Sequence, residues 1–317
     1  MFVLHVVKVL SFLMLARTYE FVQVDVFTQT PLAGNPLAIF TDGRGLDDVQ
    51  MQALAREMNL SETTFILPRD AATEAREGKK VRIFTVEEEL PFAGHPTLGT
   101  ALYLYASESK KAAQLTLDLK AGKIPVRFTA NSENASNRVD GQVFGEMCQR
   151  DPEFGTALSR EEVARVTGIA VDEIPSDLPI QPVSTGLTFT IVPFRNQQTL
   201  SNLKFTYAQA AEFLKHSGAN FFYFVCPERR EGRLEVRARM FFYGGEDPAT
   251  GSAAGCAASW LVKHGIAKSD EQVLIRQGTE CRRPSEMYVR ATWQGERVTD
   301  VRVGGYAVEI LRGTVEL

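Results

Sequence analysis

The sequence predicts an α/β (α+β) protein of two similar domains that face each other across a cleft. Three observations predict it. The chain has 317 residues, about twice the size of a typical single domain. Segments of period-two hydrophobicity alternate with segments of helical period along its length, the pattern of mixed strands and helices. One loop recurs: Ala93-Gly94-His95-Pro96-Thr97-Leu98-Gly99-Thr100-Ala101 is matched by Gly245-Glu246-Asp247-Pro248-Ala249-Thr250-Gly251-Ser252-Ala253, at an offset of 152 residues. The same offset sets Gly34 on Gly186 and Leu37–Phe40 on Phe189–Val192. Two distant places thus agree on one internal repeat. Two similar halves make a cleft, and ligand sites favour such interfaces.

Taken in order, residues 2–15 read FVLHVVKVLSFLML, apolar but broken by His5 and Lys8. The run is too short to span a membrane, and no basic residues precede it as a signal peptide requires. An extra helix, a poor targeting segment and a stretch outside the fold all remain open, so residues 1–18 are set apart as an extension. Phe21–Phe27 alternates as a strand. Gly, Asn and Pro between Thr30 and Pro36 mark a turn before a strand at Leu37–Phe40. Leu46–Met58 has Val49, Leu54 and Met58 at helical spacing, and Asp47 and Asp48 in its first turn suit the helix dipole. Strands follow at Thr63–Leu67 and Val81–Thr85, then a helix over Thr97–Tyr105. The acidic run Val86-Glu87-Glu88-Glu89 reads as a solvated hairpin tip in preference to a pocket rim. Residues 131–140, NSENASNRVD, are polar and aperiodic and read as a linker. This puts one domain at 19–135 and the other at 136–300. In the second lie a helix at Arg160–Thr167 stopped by Gly168, strands at 187–193, 221–225 and 234–242, and a helix from a turn at Gly244 to about His264. The tail alternates again from about residue 272, with residues 301–317 as a closing strand.

Hydrophobic residues make up 44% of the chain, charged residues 23%, and the net charge is −4. That is an ordinary globular composition and argues against nucleic acid as a partner, which wants a basic surface. A local pocket can still take a small anion. Cys148, Cys226, Cys256 and Cys281 form no C-x-x-C pair and no Cys/His cluster, so no metal site is expected. They read as free thiols in a reducing, cytoplasmic compartment. No other segment is long and apolar enough to cross a membrane.

The recurring loops share a physical design. Gly allows close approach of backbone to a ligand, and Pro at a helix start presets the helical φ without losing a hydrogen bond. The free N–H groups of the first turn then suit a carboxylate or a developing enolate oxygen. The plain alternative is a pair of tight strand-to-helix turns. His95 and Asp247 stand at matched positions just before the two prolines. Beside a helix N-terminus His95 is expected to stay neutral, able to donate and accept hydrogen bonds. Asp247 reads equally as a plain helix N-cap. Glu62, between a helix end and the apolar run Thr64–Leu67, would gain a raised pKa if buried, fitting it for acid/base work. By position alone it would more often be a solvated surface charge.

At this point the residues resemble a known family. Val24-Asp25-Val26-Phe27-Thr28, Gly34-Asn35-Pro36-Leu37-Ala38, Ser61-Glu62-Thr63, Pro91-Phe92-Ala93-Gly94-His95-Pro96-Thr97 and Asp247-Pro248-Ala249-Thr250-Gly251-Ser252-Ala253 are similar to the motifs of PhzF-like phenazine-biosynthesis proteins, in the same order. The resemblance implies a diaminopimelate-epimerase-like fold: two domains, each wrapping a mixed, barrel-like sheet around a central helix, with the active site in the cleft and the last strand returning to the first domain. It implies an isomerase acting on a small carboxylate-bearing molecule, as a homodimer needing neither metal nor organic cofactor. It implies that Glu62 is the acid/base and that Ser61, His95, Asp247 and Ser252 contact substrate or relay protons. Gly94 and Gly251 would be the backbone that approaches the ligand, and Asn35 and Thr97, in the same motifs, are counted as substrate-binding.

Related epimerases carry one cysteine in each matched loop, and inverting a stereocentre takes a base on each face of the carbon. Here those loops hold no cysteine, and Cys256 is expected to face the core. A single carboxylate moving a proton along one face is therefore preferred to an amino-acid epimerase or racemase. A non-catalytic binding member of the same fold remains possible in principle. A Cys256 hydrolase lacks an accompanying base motif.

Overall fold

The computed structural model describes residues 17–108, 111–130, 139–243 and 245–317. Most of the expected N-terminal extension, most of the 131–140 linker and the expected 135/136 boundary lie outside these residues.

The first half contributes β1 (Thr18–Val26), β2 (Asn35–Phe40), β3 (Glu62–Ile66), β4 (Lys79–Phe84), β5 (Glu89–Leu90), β6 (Gln114–Leu119), β7 (Gly122–Ala130) and β8 (Val143–Cys148). From β1 the pairing runs antiparallel to β2, parallel to β3, antiparallel to β4, parallel to β6, then antiparallel to β7 and β8, with β5 folded back on β4. The strands that follow are β9 (Glu153–Phe154), β10 (Gln181–Ser184), β11 (Thr188–Pro193), β12 (Phe221–Arg230), β13 (Arg233–Phe242), β14 (Gly245–Glu246), β15 (Val273–Gln277), β16 (Ser285–Gln294), β17 (Arg297–Gly305) and β18 (Ala307–Glu316). From β10 to β17 the same series of antiparallel and parallel pairings repeats, with β14 folded back on β13. The repeat first seen in two loops is thus a repeat of the whole strand order.

The halves are stitched by hydrogen bonds. β8 and β17, the last strand of each series, pair antiparallel. After β8 the chain crosses to lay β9 on β10, and after β17 it crosses back to lay β18 along all of β1. Each half therefore borrows an edge strand from the other, covering edges that would otherwise expose unpaired backbone. On this pairing β8 goes with the first half, beyond the boundary expected from the polar linker.

The helices are α1 (Asp48–Met58), α2 (Ala71–Glu77), α3 (Gly94–Ser107), α4 (Arg160–Thr167), α5 (Gln197–Asn202), α6 (Ala211–Ser217) and α7 (Gly251–Lys263). α3 packs against β1, β2, β3, β6 and β8, and α7 against β10, β11, β12, β16 and β17. Every residue of α3 but Tyr103 and Ser107 is buried, and every residue of α7 but Lys263. A helix apolar on all sides belongs in a core, and small residues let these two sit close to the strands. A Cβ at Gly99 would come within 2.6 Å of Val26 and 2.8 Å of Leu37 side-chain atoms.

Three sequence expectations are corrected. In α1 the buried stripe is Met51, Leu54 and Ala55, while Val49 is 77% exposed; the helix turns its i, i+3, i+4 face from Met51 toward the sheet. α3 begins at Gly94, earlier than expected, because Pro96 sits in the first turn, where no N–H is needed. α7 begins only at Gly251, beyond Pro248. The acidic run at 86–89 does form the β4–β5 hairpin tip, closed by Thr85 Oγ1 accepting from the Glu87 and Glu88 N–H groups. No described helix is long and apolar enough to cross a membrane.

Candidate active site

The two central helices meet end to end. Ala93 and Thr250 are their N-caps, so Gly94 and Gly251 are their first residues and His95 and Ser252 their second. Gly94 and Gly251 are in backbone contact: a Cβ on Gly94 would lie 2.7 Å from the Ser252 nitrogen, and one on Gly251 would lie 3.3 Å from the Gly94 Cα. The first-turn N–H groups of Gly94, His95, Gly251, Ser252 and Ala253 have no intrahelical acceptor, and both dipoles point their positive ends at one place.

A cavity of about 160 Å³ opens there. Ser61, Glu62, Gly94, His95, Asp247, Gly251 and Ser252 line it. An apolar wall faces them, built from Phe92, Leu187, Phe189, Phe221, Met240 and Phe242. Thr85, Glu88 and Tyr243 are also among its lining, so the hairpin tip expected to be merely solvated is also part of the rim.

Glu62 opens β3, immediately after the left-handed Asn59 cap of α1 and two loop residues. Its Oε2 is buried without a hydrogen-bond partner and lies 3.4 Å from His95 Nδ1. Burial, with the Asp247 carboxylate nearby, pushes its pKa up to about 8. His95 is 4% exposed, and burial lowers its pKa to about 3, slightly opposed by the Pro36 carbonyl. The ring is therefore neutral, and the cause is desolvation. Its Nδ1 lies 3.4 Å from Glu62 Oε2, which can donate to it when protonated, and 3.4 Å from Asn35 Nδ2, whose two hydrogens go to closer acceptors. Its Nε2 has no partner.

Asp247 is held differently. Oδ1 accepts from Asn35 Nδ2 at 2.8 Å, and Oδ2 accepts from Thr250 Oγ1 at 2.6 Å. Burial raises its pKa to about 7, while these two bonds oppose the rise. Asp247 is neither the N-cap of α7 nor the counterpart of His95. The Asp247–Thr250 hydrogen bond closes a turn ahead of the helix, and the residue matching His95 in space is Ser252. Gln277 secures this turn. It is fully buried, its Nε2 donates to Asp247 O (2.7 Å) and Thr250 Oγ1 (2.9 Å), and its Oε1 accepts from Tyr223 OH (3.0 Å) and the Thr250 N–H (3.3 Å).

Two expected binding residues do not line the cavity. Asn35 is fully buried behind it and spends its amide on Asp247 and the Ala249 carbonyl. Thr97 turns its hydroxyl back to Ala93 O at 2.6 Å. Sequence reasoning missed Gln277, Tyr223 and the aromatic wall; a lone Gln at a strand end and scattered Phe residues carry no local signal. Cys256 is fully buried, and its thiol is pushed up to about 11 by burial, leaving it protonated and unsuited as a nucleophile. Among the described residues no group of His, Cys, Asp and Glu is placed to hold a metal ion.

The chain is similar to known proteins over nearly its whole length. The family model for phenazine biosynthesis-like proteins matches residues 24–313. The chain is 38% identical over 304 residues to the trans-2,3-dihydro-3-hydroxyanthranilate isomerase of Pseudomonas chlororaphis, covering 94% of this chain and all of that one. Among solved structures, a predicted epimerase from Pseudomonas aeruginosa superposes with a TM-score of 0.78 at 33% identity, covering 94% of this chain and 99% of that one. A hydroxyproline epimerase from Agrobacterium vitis shares the fold, with a TM-score of 0.63 at 13% identity, covering 95% and 93% of the two chains.

Proposed function

The chain belongs to the phenazine biosynthesis-like protein family, and on that premise we propose that it is an isomerase that moves a proton within a small carboxylate-bearing, cyclic or amino-acid-like substrate, using Glu62 as its one acid/base. The observation that carries the reading is the state of Glu62. Its Oε2 is buried, unpartnered and at the cavity, with a pKa near 8, close to the working pH at which general acid/base catalysis is most efficient.

The other groups fit supporting roles. The substrate carboxylate is held by the first-turn N–H groups of the two helices, which also offset charge developing on an enolate-like anion. A planar ring packs on the wall of Phe92, Phe189, Phe221 and Phe242. Glu62 lifts a proton from the activated carbon, neutral His95 holds the anion by hydrogen bonding, and Glu62 returns the proton elsewhere on the same face. Ser61 and Ser252 orient the substrate from either side.

A two-base epimerase is less well supported. Asp247 has a suitable pKa, but both its oxygens are engaged by Asn35 and Thr250, and the facing helix positions are glycines. The relative from Pseudomonas chlororaphis supplies a first substrate to try, by its name. Proton NMR in deuterated water, with trans-2,3-dihydro-3-hydroxyanthranilate and separately a panel of cyclic amino acids, should show double-bond migration or deuterium uptake. Glu62→Gln should abolish it. Near-normal turnover by Glu62→Gln would refute the assignment, and exchange with inversion would favour the epimerase.

A further inference from the structure

Beside the reaction cavity lies a second chamber of about 190 Å³, sharing Leu90, Phe92 and Leu187 with it. Like the reaction cavity, it is bounded by both halves: Pro91, Ala121 and Ile124 from the first, Thr185 and Gly186 from the second. Its walls are held in place. The Ala121 N–H donates to Pro91 O at 3.0 Å. Thr185 donates to Gln149 Oε1 at 2.7 Å, and Gln149 Nε2 donates to the Gly251 carbonyl at 2.9 Å. The chamber floor is thus hydrogen-bonded to the first residue of α7, which itself lines the reaction cavity.

One cation borders this largely apolar space. Arg150 is exposed, lines the chamber and donates through Nη2 to Ala121 O at 2.7 Å. Arg82, Arg239, Arg283 and Arg290 each pair with a carboxylate. Arg150 has no carboxylate within ion-pair distance among the described residues, so most of its guanidinium is left for a ligand. The reaction cavity, by contrast, is lined by Glu62, Glu88 and Asp247 and by no Lys or Arg among the described residues.

We propose that the second chamber is a subsite for the non-reacting end of the substrate: an apolar ring or short chain that passes Phe92 and Leu187 and ends in a carboxylate or similar acidic oxygen on Arg150. The inference rests on the first cavity being the reaction site, but its test needs no turnover. Apolar walls supply binding by burial, and a guanidinium recognises a carboxylate in planar, bidentate geometry. Binding energy gathered at such a remote end positions the reacting carbon.

The probes are anthranilate, small enough for the reaction cavity alone, and 3-phenylpropionate, an apolar ring with a terminal carboxylate. Titration calorimetry would be run with each alone and with 3-phenylpropionate added to anthranilate-saturated protein. The expected result is that 3-phenylpropionate still binds when anthranilate is present. Arg150→Ala should weaken 3-phenylpropionate roughly fivefold, as loss of a partly exposed ion pair does, and leave anthranilate unchanged. Ala121→Phe, which fills the chamber, should abolish 3-phenylpropionate binding while anthranilate still binds, which also reports that the variant is folded. Competition between the two probes, no binding of 3-phenylpropionate, or equal affinity in wild type and Arg150→Ala would overturn the subsite. None of these outcomes bears on whether Glu62 moves a proton, which the deuterium experiment decides separately.

Discussion

Gly94 and Gly251 touch through their backbones, each the first residue of a central helix, leaving no room for a side chain between them. This contact joins the positively polarised N-terminal ends of two helices whose first residues are 157 residues apart in the chain. A methyl group at residue 94 would meet Gly251 and Ser252 backbone atoms at under 3 Å, and backbone cannot swing aside as a side chain can. Gly94→Ala should therefore cost about 1–3 kcal/mol of stability by overpacking. Spreading the two helix ends by a fraction of an ångström should also reduce turnover by up to about 100-fold. Denaturant midpoints and steady-state rates on the same preparation would check both.

On the proposed mechanism, Glu62 should set the pH dependence of the reaction. As a base it must be ionised, and burial holds its pKa near 8. The rate of deuterium uptake into substrate, measured as kcat/KM, should rise about tenfold per pH unit below roughly pH 8 and level off above it. A profile already flat from pH 5 upward would show that Glu62 is not the titrating base.

The same group makes a stability prediction of definite sign. The folded-state pKa of Glu62 is raised from 4.5 to about 8, so the folded protein binds this proton more tightly than the unfolded chain. Its favourable contribution is complete below about pH 4.5 and is lost as pH rises to about 8. Glu62→Gln keeps the neutral form at every pH. Relative to wild type it should gain on the order of 5 kcal/mol at pH 9, with the difference vanishing near pH 4.5. Thermal melts of both proteins at pH 4.5, 7 and 9 would test this, and a constant difference across the three would contradict it.

Gln277 is the hub behind Asp247. Gln277→Leu keeps the volume but strips partners from the Asp247 carbonyl, Thr250 Oγ1 and Tyr223 OH. Buried polar groups left unsatisfied cost about 1–3 kcal/mol each, so a loss of roughly 3 kcal/mol is expected, read from urea unfolding. Because the Asp247 turn leads into α7, the KM for a carboxylate substrate should rise more than kcat falls. A variant with unchanged KM would mean that the turn holds its shape without Gln277.

Much of this protein was legible in its sequence because its information is local. The repeated loops, the period-two strands and the Ser61-Glu62-Thr63 and Gly94-His95-Pro96 motifs are short, contiguous patterns. They led to the mixed α/β fold, to the likeness of the two halves and to Glu62, His95 and Asp247 as candidates. Sequence also showed that no cysteine stands in the matched loops. What it could not show depends on contacts between distant residues. The offset of 152 aligned His95 with Asp247, whereas packing of the helix ends matches His95 with Ser252, because a hydrogen-bonded turn delays the start of α7. Val49 carried the right spacing for a core position, yet the sheet meets α1 along Met51, Leu54 and Ala55. The pKa of Glu62 is a property of burial, and a residue between helix and strand can be dry or wet. Only the closing of two halves around one point buries Glu62 Oε2 without a hydrogen-bond partner and sets it 3.4 Å from a neutral histidine.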